Sequence, residues 1–113
     1  RIYPNTVPFP ANAPDTVEGL PGGHILAYTG FSVTANPVPG TIVFNGATGT
    51  TANASAAGTL SWAAFLNNTA GGTQIFITDS VVLNGNNGII AVDDLTPASS
   101  QTVTVALALK LTV

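Results

Sequence analysis

From Thr102 to Val113 the chain places Val103, Val105, Leu107, Leu109, Leu111 and Val113 on every second position, with Thr104, Ala106, Ala108, Lys110 and Thr112 between them. An extended chain turns alternate side chains to opposite sides, so six branched aliphatics share one face. Burying that face is worth on the order of 10 kcal/mol at about 1.5–3 kcal/mol per side chain. The same idiom recurs upstream. HILAYTGFSV runs into Pro37-Val38-Pro39-Gly40, TIVFN into Asn45-Gly46, TLSWAAFLN into Gly71-Gly72, TQIFI and VVLN into Asn84-Gly85, and GIIAV into Asp93-Asp94. Short β-rich runs separated by turn residues predict strands. No window sustains a 3.6-residue period. The best helical stretch, Leu60 to Leu66, also alternates as Leu60, Trp62, Ala64 and Leu66. The pattern predicts an all-β chain, a single antiparallel β-sandwich of about 7–8 strands over residues 24–113.

Two segments break the pattern. Residues 1–23, RIYPNTVPFPANAPDTVEGLPGG, contain Pro4, Pro8, Pro10, Pro14 and Pro21. Proline fixes φ and removes a donor, which rules out a helix or a central strand and favours an extended arm of polyproline-II character. At about 3.1 Å per residue such an arm reaches about 70 Å, against a radius of gyration of about 13 Å for a hundred-residue domain. The expectation is an arm that leaves its own domain and docks on a neighbouring copy through Ile2, Tyr3, Val7 and Phe9; the rival is a disordered leader or linker. The second segment, ATGTTANASAAGT at 47–59, reads as a flexible loop or a site for O-linked sugar, with a packed strand of small residues as its rival. Asn-Gly pairs at 45, 84 and 87 suit tight hairpins, which require positive φ.

The segment IIAVDDLTPASSQTVTV, 89–105, resembles the strand–corner–strand of immunoglobulin-like and fibronectin type III-like sandwiches. Leu95 and Pro97 stand where those domains carry an L-x-P corner, and Val103 and Val105 begin the next inward-facing strand. The chain departs from that pattern at Gln101, where a corner tyrosine is usual, and it lacks the cysteine pair and tryptophan spacing of true immunoglobulin domains. The resemblance implies an architecture and no activity; the sandwich expected is immunoglobulin-like or jelly-roll-like.

Charge sharpens this reading. Charged residues make up 6% of the 113, against about 25% in a typical soluble domain. The cations are Arg1 and Lys110, against five carboxylates. No basic stripe exists to neutralise phosphates, which argues against nucleic acid and against an electrostatically held membrane surface. Mean hydropathy is +0.41, yet no apolar run approaches the roughly 18 residues of a membrane-spanning helix. So few charges leave a lone monomer poorly soluble, which points to cover by sister copies or glycan, or else to a neutral surface of Thr, Ser, Asn and Gly. Asn53 and Asn67 head N-x-[ST] sequons that suit an exterior protein. The absence of Met at position 1 suggests a processed or excised chain, signal cleavage being one ordinary route. Cysteine is absent, so disulfides and thiolate chemistry are too.

Catalytic groups are scarce. His24 is the sole histidine, with a capping or surface role favoured over a general base. No nucleophile elbow, phosphate loop or dinucleotide fingerprint occurs. Neither enzyme activity nor a cofactor is expected. Among Asp15, Glu18, Asp79, Asp93 and Asp94, the candidates for a calcium ion are Asp79, Asp93 and Asp94, against an ordinary solvated turn. Lys110 reads as an edge charge in preference to an isopeptide donor. Trp62, among apolar neighbours, reads as core and not as a sugar platform. Together these features predict a structural, pilus-like subunit that assembles with copies of itself into an extracellular filament or surface layer, through its N-terminal arm and β-edge complementation. The alternative is a viral capsid, decoration or fibre protein, and the third reading a carbohydrate- or protein-binding module of a larger surface protein.

Overall fold

The computed structural model describes residues 1–29, 32–35, 41–45, 50–66, 75–107 and 110–112, with side chains for 1–29, 50–66 and 76–106. The described residues form ten strands: β1 Ile2–Pro4, β2 Ser32–Ala35, β3 Thr41–Asn45, β4 Thr50–Asn53, β5 Leu60–Leu66, β6 Ile75–Thr78, β7 Val81–Leu83, β8 Ile90–Val92, β9 Thr102–Leu107 and β10 Lys110–Thr112. One 3-10 turn, Val17–Gly19, is the helical content among these residues. The protein is all-β.

Hydrogen bonding groups the strands as β1-β5-β6, β10-β3-β2 and β4-β9-β8-β7. The main core joins Ile2, Leu60 and Ala63 of the first sheet to Ile90, Val92, Val103 and Val105 of the third, with Ile25, Leu26 and Ala54 from connecting segments. Val103 and Val105 are thus buried as the alternation requires. Leu107, Leu109, Leu111 and Val113 have side chains outside the described set, as do the turns at 37–40 and 71–72.

Three elements differ from the expectations. Thr50–Asn53, inside the small-residue run, is strand β4; it pairs antiparallel with β9, Thr50 opposite Val105 and Asn53 opposite Thr102. Small β-branched residues satisfy a strand whose inner positions sit half-buried and whose outer positions face solvent. Residues 2–4 form strand β1, which the proline content of 1–23 obscured. Pro4 ends the strand at a register shift, where its missing N–H costs no ladder bond.

The third difference is orientation: β7 and β8 run parallel, Val81 opposite Ile90 and Leu83 opposite Val92. Parallel neighbours usually need a crossover of about a dozen residues; here residues 84–89 suffice. Asn84 N–H bonds Val92 O at 2.8 Å, Asn86 N–H bonds Leu83 O at 3.1 Å, and Ile90 N–H bonds Ser80 O at 3.0 Å. Gly85 adopts φ +94°. The return passes directly over β7: a Cβ on Gly88 would stand 2.6 Å from a Val82 methyl. The Asn-Gly chemistry produces a turn as expected, but its product is a compact parallel return and not a hairpin.

The corner at 93–101 is held by polar side chains. Gln101 accepts a bond from Ala98 N–H through Oε1 at 2.9 Å and donates from Nε2 to Asp94 Oδ2 at 2.6 Å. Pro97, within the corner, is fully buried, and Ser100 takes φ 69°. Gln101 therefore ties the two sides of the corner together through its side-chain amide. Tyr28 ties a more distant point, its hydroxyl donating to Val103 O at 2.9 Å. Burial, then the Asp93 charge, pushes its pKa up to about 12 and keeps that donor protonated.

Candidate assembly surface

Residues 1–26 return on themselves. Ile2 N–H bonds Leu26 O at 2.9 Å, and Ile25 N–H bonds Ile2 O at 3.0 Å. The reversal comes at Gly22-Gly23, where Gly23 holds φ +93°, a conformation that side chains resist. Between these ends the proline-rich stretch lies over the outer face of β5. Tyr3 and Trp62 stack with ring centroids 3.9 Å apart and planes 3° from parallel. Phe9 meets Trp62 edge-on at 5.6 Å and 84°. The Trp62 indole donates to Val7 O at 2.8 Å, and the Tyr3 hydroxyl donates to Pro21 O at 2.8 Å. Tyr3, Leu20, Trp62 and Ala64 form a second apolar cluster, with Val7, Leu66 and Ile77 against it.

The four residues expected to dock on a neighbour are therefore placed on their own chain. Ile2 is 2% and Tyr3 0% exposed, Val7 is half-buried, and Phe9 is 44% exposed. The expected arm off the domain gives way here to a fold-back. A segment able to span about 70 Å need not do so when a reversal lets its aromatic residues bury against Trp62. The signal was present in Pro21-Gly22-Gly23, a turn sequence closing a segment that carries two aromatics.

Asp93 and Asp94 are engaged locally. Asp93 Oδ1 accepts from Thr104 N–H at 3.0 Å. Asp94 Oδ1 accepts from Thr96 N–H at 2.8 Å, and Oδ2 accepts from Gln101. Those bonds, Gln101 foremost, hold the Asp94 carboxyl below its usual range. Asp79 is exposed before β7. Among the described residues no three His, Asp or Glu side chains are grouped to hold a metal ion. His24 lies edge-on to Tyr3 at 5.8 Å; burial, then the charge of Arg1, lowers its pKa. Arg1, Glu18 and His24 line one open depression of about 440 Å³ beside the reversal.

Asn53 is exposed on β4, where its Oδ1 accepts the Thr102 hydroxyl at 2.8 Å. Asn67 lies outside the described residues.

The sheet margins complete the surface. Among the described residues the edge strands are β1, β6, β10, β2, β4 and β7, and of these only β10 carries a charged residue, Lys110. Strand β4 reads TTAN and β7 reads VVL, with Leu83 41% exposed. No helix among the described residues is long and apolar enough to cross a membrane. No protein-family model, curated protein or solved structure matches the chain.

Proposed function

We propose that the protein is a structural subunit, a β-sandwich that assembles with copies of itself into an extracellular filament or surface layer through its sheet edges and N-terminal segment. The carrying observation is the set of edge strands without charges. A sheet edge presents unpaired N–H and C=O groups, and free-standing β proteins blunt it with lysines, prolines or bulges. Here β1 has Pro4, a register shift and the backbone of residues 25–26 across its outer side, β10 has Lys110, and among the described residues strands β2, β4, β6 and β7 carry no charge, proline or register shift. With charge at 6% of the chain, little repulsion opposes the approach of a second copy. The main core draws on two sheets, which supports the sandwich reading, and the bonded state of Asp93 and Asp94 supports a structural turn in place of a metal centre.

Negative-stain electron microscopy of concentrated protein tests the proposal. Regular filaments or sheets are expected. Icosahedral shells or capped fibres would favour the virion alternative, and dispersed single chains at every concentration would remove both.

A further inference from the structure

We infer that residues 1–21 are an exchangeable plug: in the assembled material the plug of one copy occupies the Trp62 socket of another, in place of the plug seen closed on its own chain. This inference rests on the self-assembly reading and names the residues that carry it.

Three observations support it. The first is how the contacts partition. Among the contacts of 1–21 that leave the segment, polar and aromatic ones reach the edge and outer face of β5, Thr59 just before it and residues 24–26, and the Ile2 side chain enters the main core. Asn5 N–H bonds Thr59 O at 2.8 Å, Ala64 N–H bonds Arg1 O at 2.9 Å, and the Tyr3, Val7 and Phe9 contacts converge on Trp62. The plug is thus seated on groups of the domain itself, in the Trp62 cluster and, through Ile2, in the main core, and every copy offers the same seat.

The second is the joint. Pro21-Gly22-Gly23 connects plug to domain, and a Cβ on Gly22 would meet nothing within 4 Å, so the joint is open on that side. The third is that bonds internal to the plug travel with it. Val7 N–H to Pro4 O, Gly19 N–H to Thr16 O, Leu20 N–H to Val17 O and the Tyr3 hydroxyl to Pro21 O all join residues of 1–21.

An exchanged plug remakes its β5 and Trp62 contacts in the new socket, so concentration and joint geometry decide the balance. A short tether holds the plug near its own socket at an effective concentration in the millimolar range. Exchange therefore competes where copies are packed that densely, as they are once uncharged edges have brought them together. Passed head to tail, such exchange gives an open polymer; made reciprocally, it closes as a dimer.

The chain has no cysteine, so introduced pairs report connectivity cleanly. Asn5→Cys/Thr59→Cys uses two exposed positions. Ile2→Cys/Ala63→Cys uses partners in the β1–β5 ladder and serves if the first pair perturbs the surface. Each full-length variant is assembled at millimolar concentration, oxidised, denatured and run on a non-reducing gel beside a dilute sample. The expected result is chain-linked dimers or ladders from the assembled sample and intramolecularly closed monomers from the dilute one. Assembled material whose disulfides are all intramolecular would overturn the exchange while leaving self-assembly standing. Failure to assemble at all, with closed monomers throughout, would sink both.

Discussion

Trp62 is the residue on which the N-terminal region depends. It is fully buried, stacked on Tyr3, crossed by Phe9 and hydrogen-bonded to Val7 O. Trp62→Ala should cost about 3–5 kcal/mol, the usual loss for an aromatic truncated in a packed site, measured as the shift in the urea midpoint. Gln101 acts at the opposite corner through Asp94. Because the folded Asp94 pKa is depressed, its contribution to stability is present above the unfolded value near 3.9. That contribution is lost as pH falls through the folded value, since below both the carboxyl is protonated in either state. Gln101→Ala removes the largest cause of the depression. The Asp94 titration, followed by NMR of its carboxyl carbon, should then move up towards the ordinary carboxylate range, and the variant should lose the pH-dependent advantage of the parent above about pH 4. An unchanged titration would show that the Thr96 bonds suffice.

At the scale of elements, the 84–89 return has an unusual requirement that two glycines meet in different ways. Gly88→Ala drives a methyl into Val82 and should cost about 1–3 kcal/mol. Gly85→Ala meets no atom and is opposed only by its positive φ, a cost of about 1–2 kcal/mol, and Gly85→Asn should recover part of it because asparagine tolerates that region. Thermal unfolding of the three variants should rank them in that order. For β4, the double substitution Thr51→Lys/Asn53→Lys puts two cations on exposed edge positions. It should suppress assembly, read by light scattering, while leaving the unfolding midpoint within about 0.5 kcal/mol of the parent. Undiminished assembly would show that β4 is not a contact edge.

The same elements show what the sequence made legible. Strands β3, β5, β6, β8 and β9 fall in runs whose apolar alternation or β-branched content is dense, and in β5, β8 and β9 that pattern corresponds to residues buried in the two-sheet core. Strands β1 and β4 do not show it: Pro4 closes β1 after Ile2 and Tyr3, too short a run to alternate, and Thr and Ala fill β4. Their pairing is imposed by neighbours, Trp62 and Ala63 across from β1 and Val103 and Val105 across from β4. The parallel β7–β8 pair was hidden because Asn-Gly encodes positive φ, not the direction in which the chain leaves the turn. The aromatic residues of 1–23 were legible as anchors. Their socket was not, since a sequence shows no difference between Trp62 of the same chain and Trp62 of the next.

For the whole molecule, the proposed assembly joins copies of a chain with two cations and five carboxylates through sheet edges and the N-terminal plug. Trp62 is the sole tryptophan, so its fluorescence follows plug occupancy directly. Diluting assembled material should leave the emission blue-shifted, because each plug closes on its own chain as copies part, whereas Tyr3→Ala/Phe9→Ala should shift it to the red by exposing the indole. The most direct test of the central claim is electron microscopy of the full chain across a concentration series up to the millimolar range. The account predicts regular filaments or sheets that appear with rising concentration. Single dispersed chains at every concentration would contradict it.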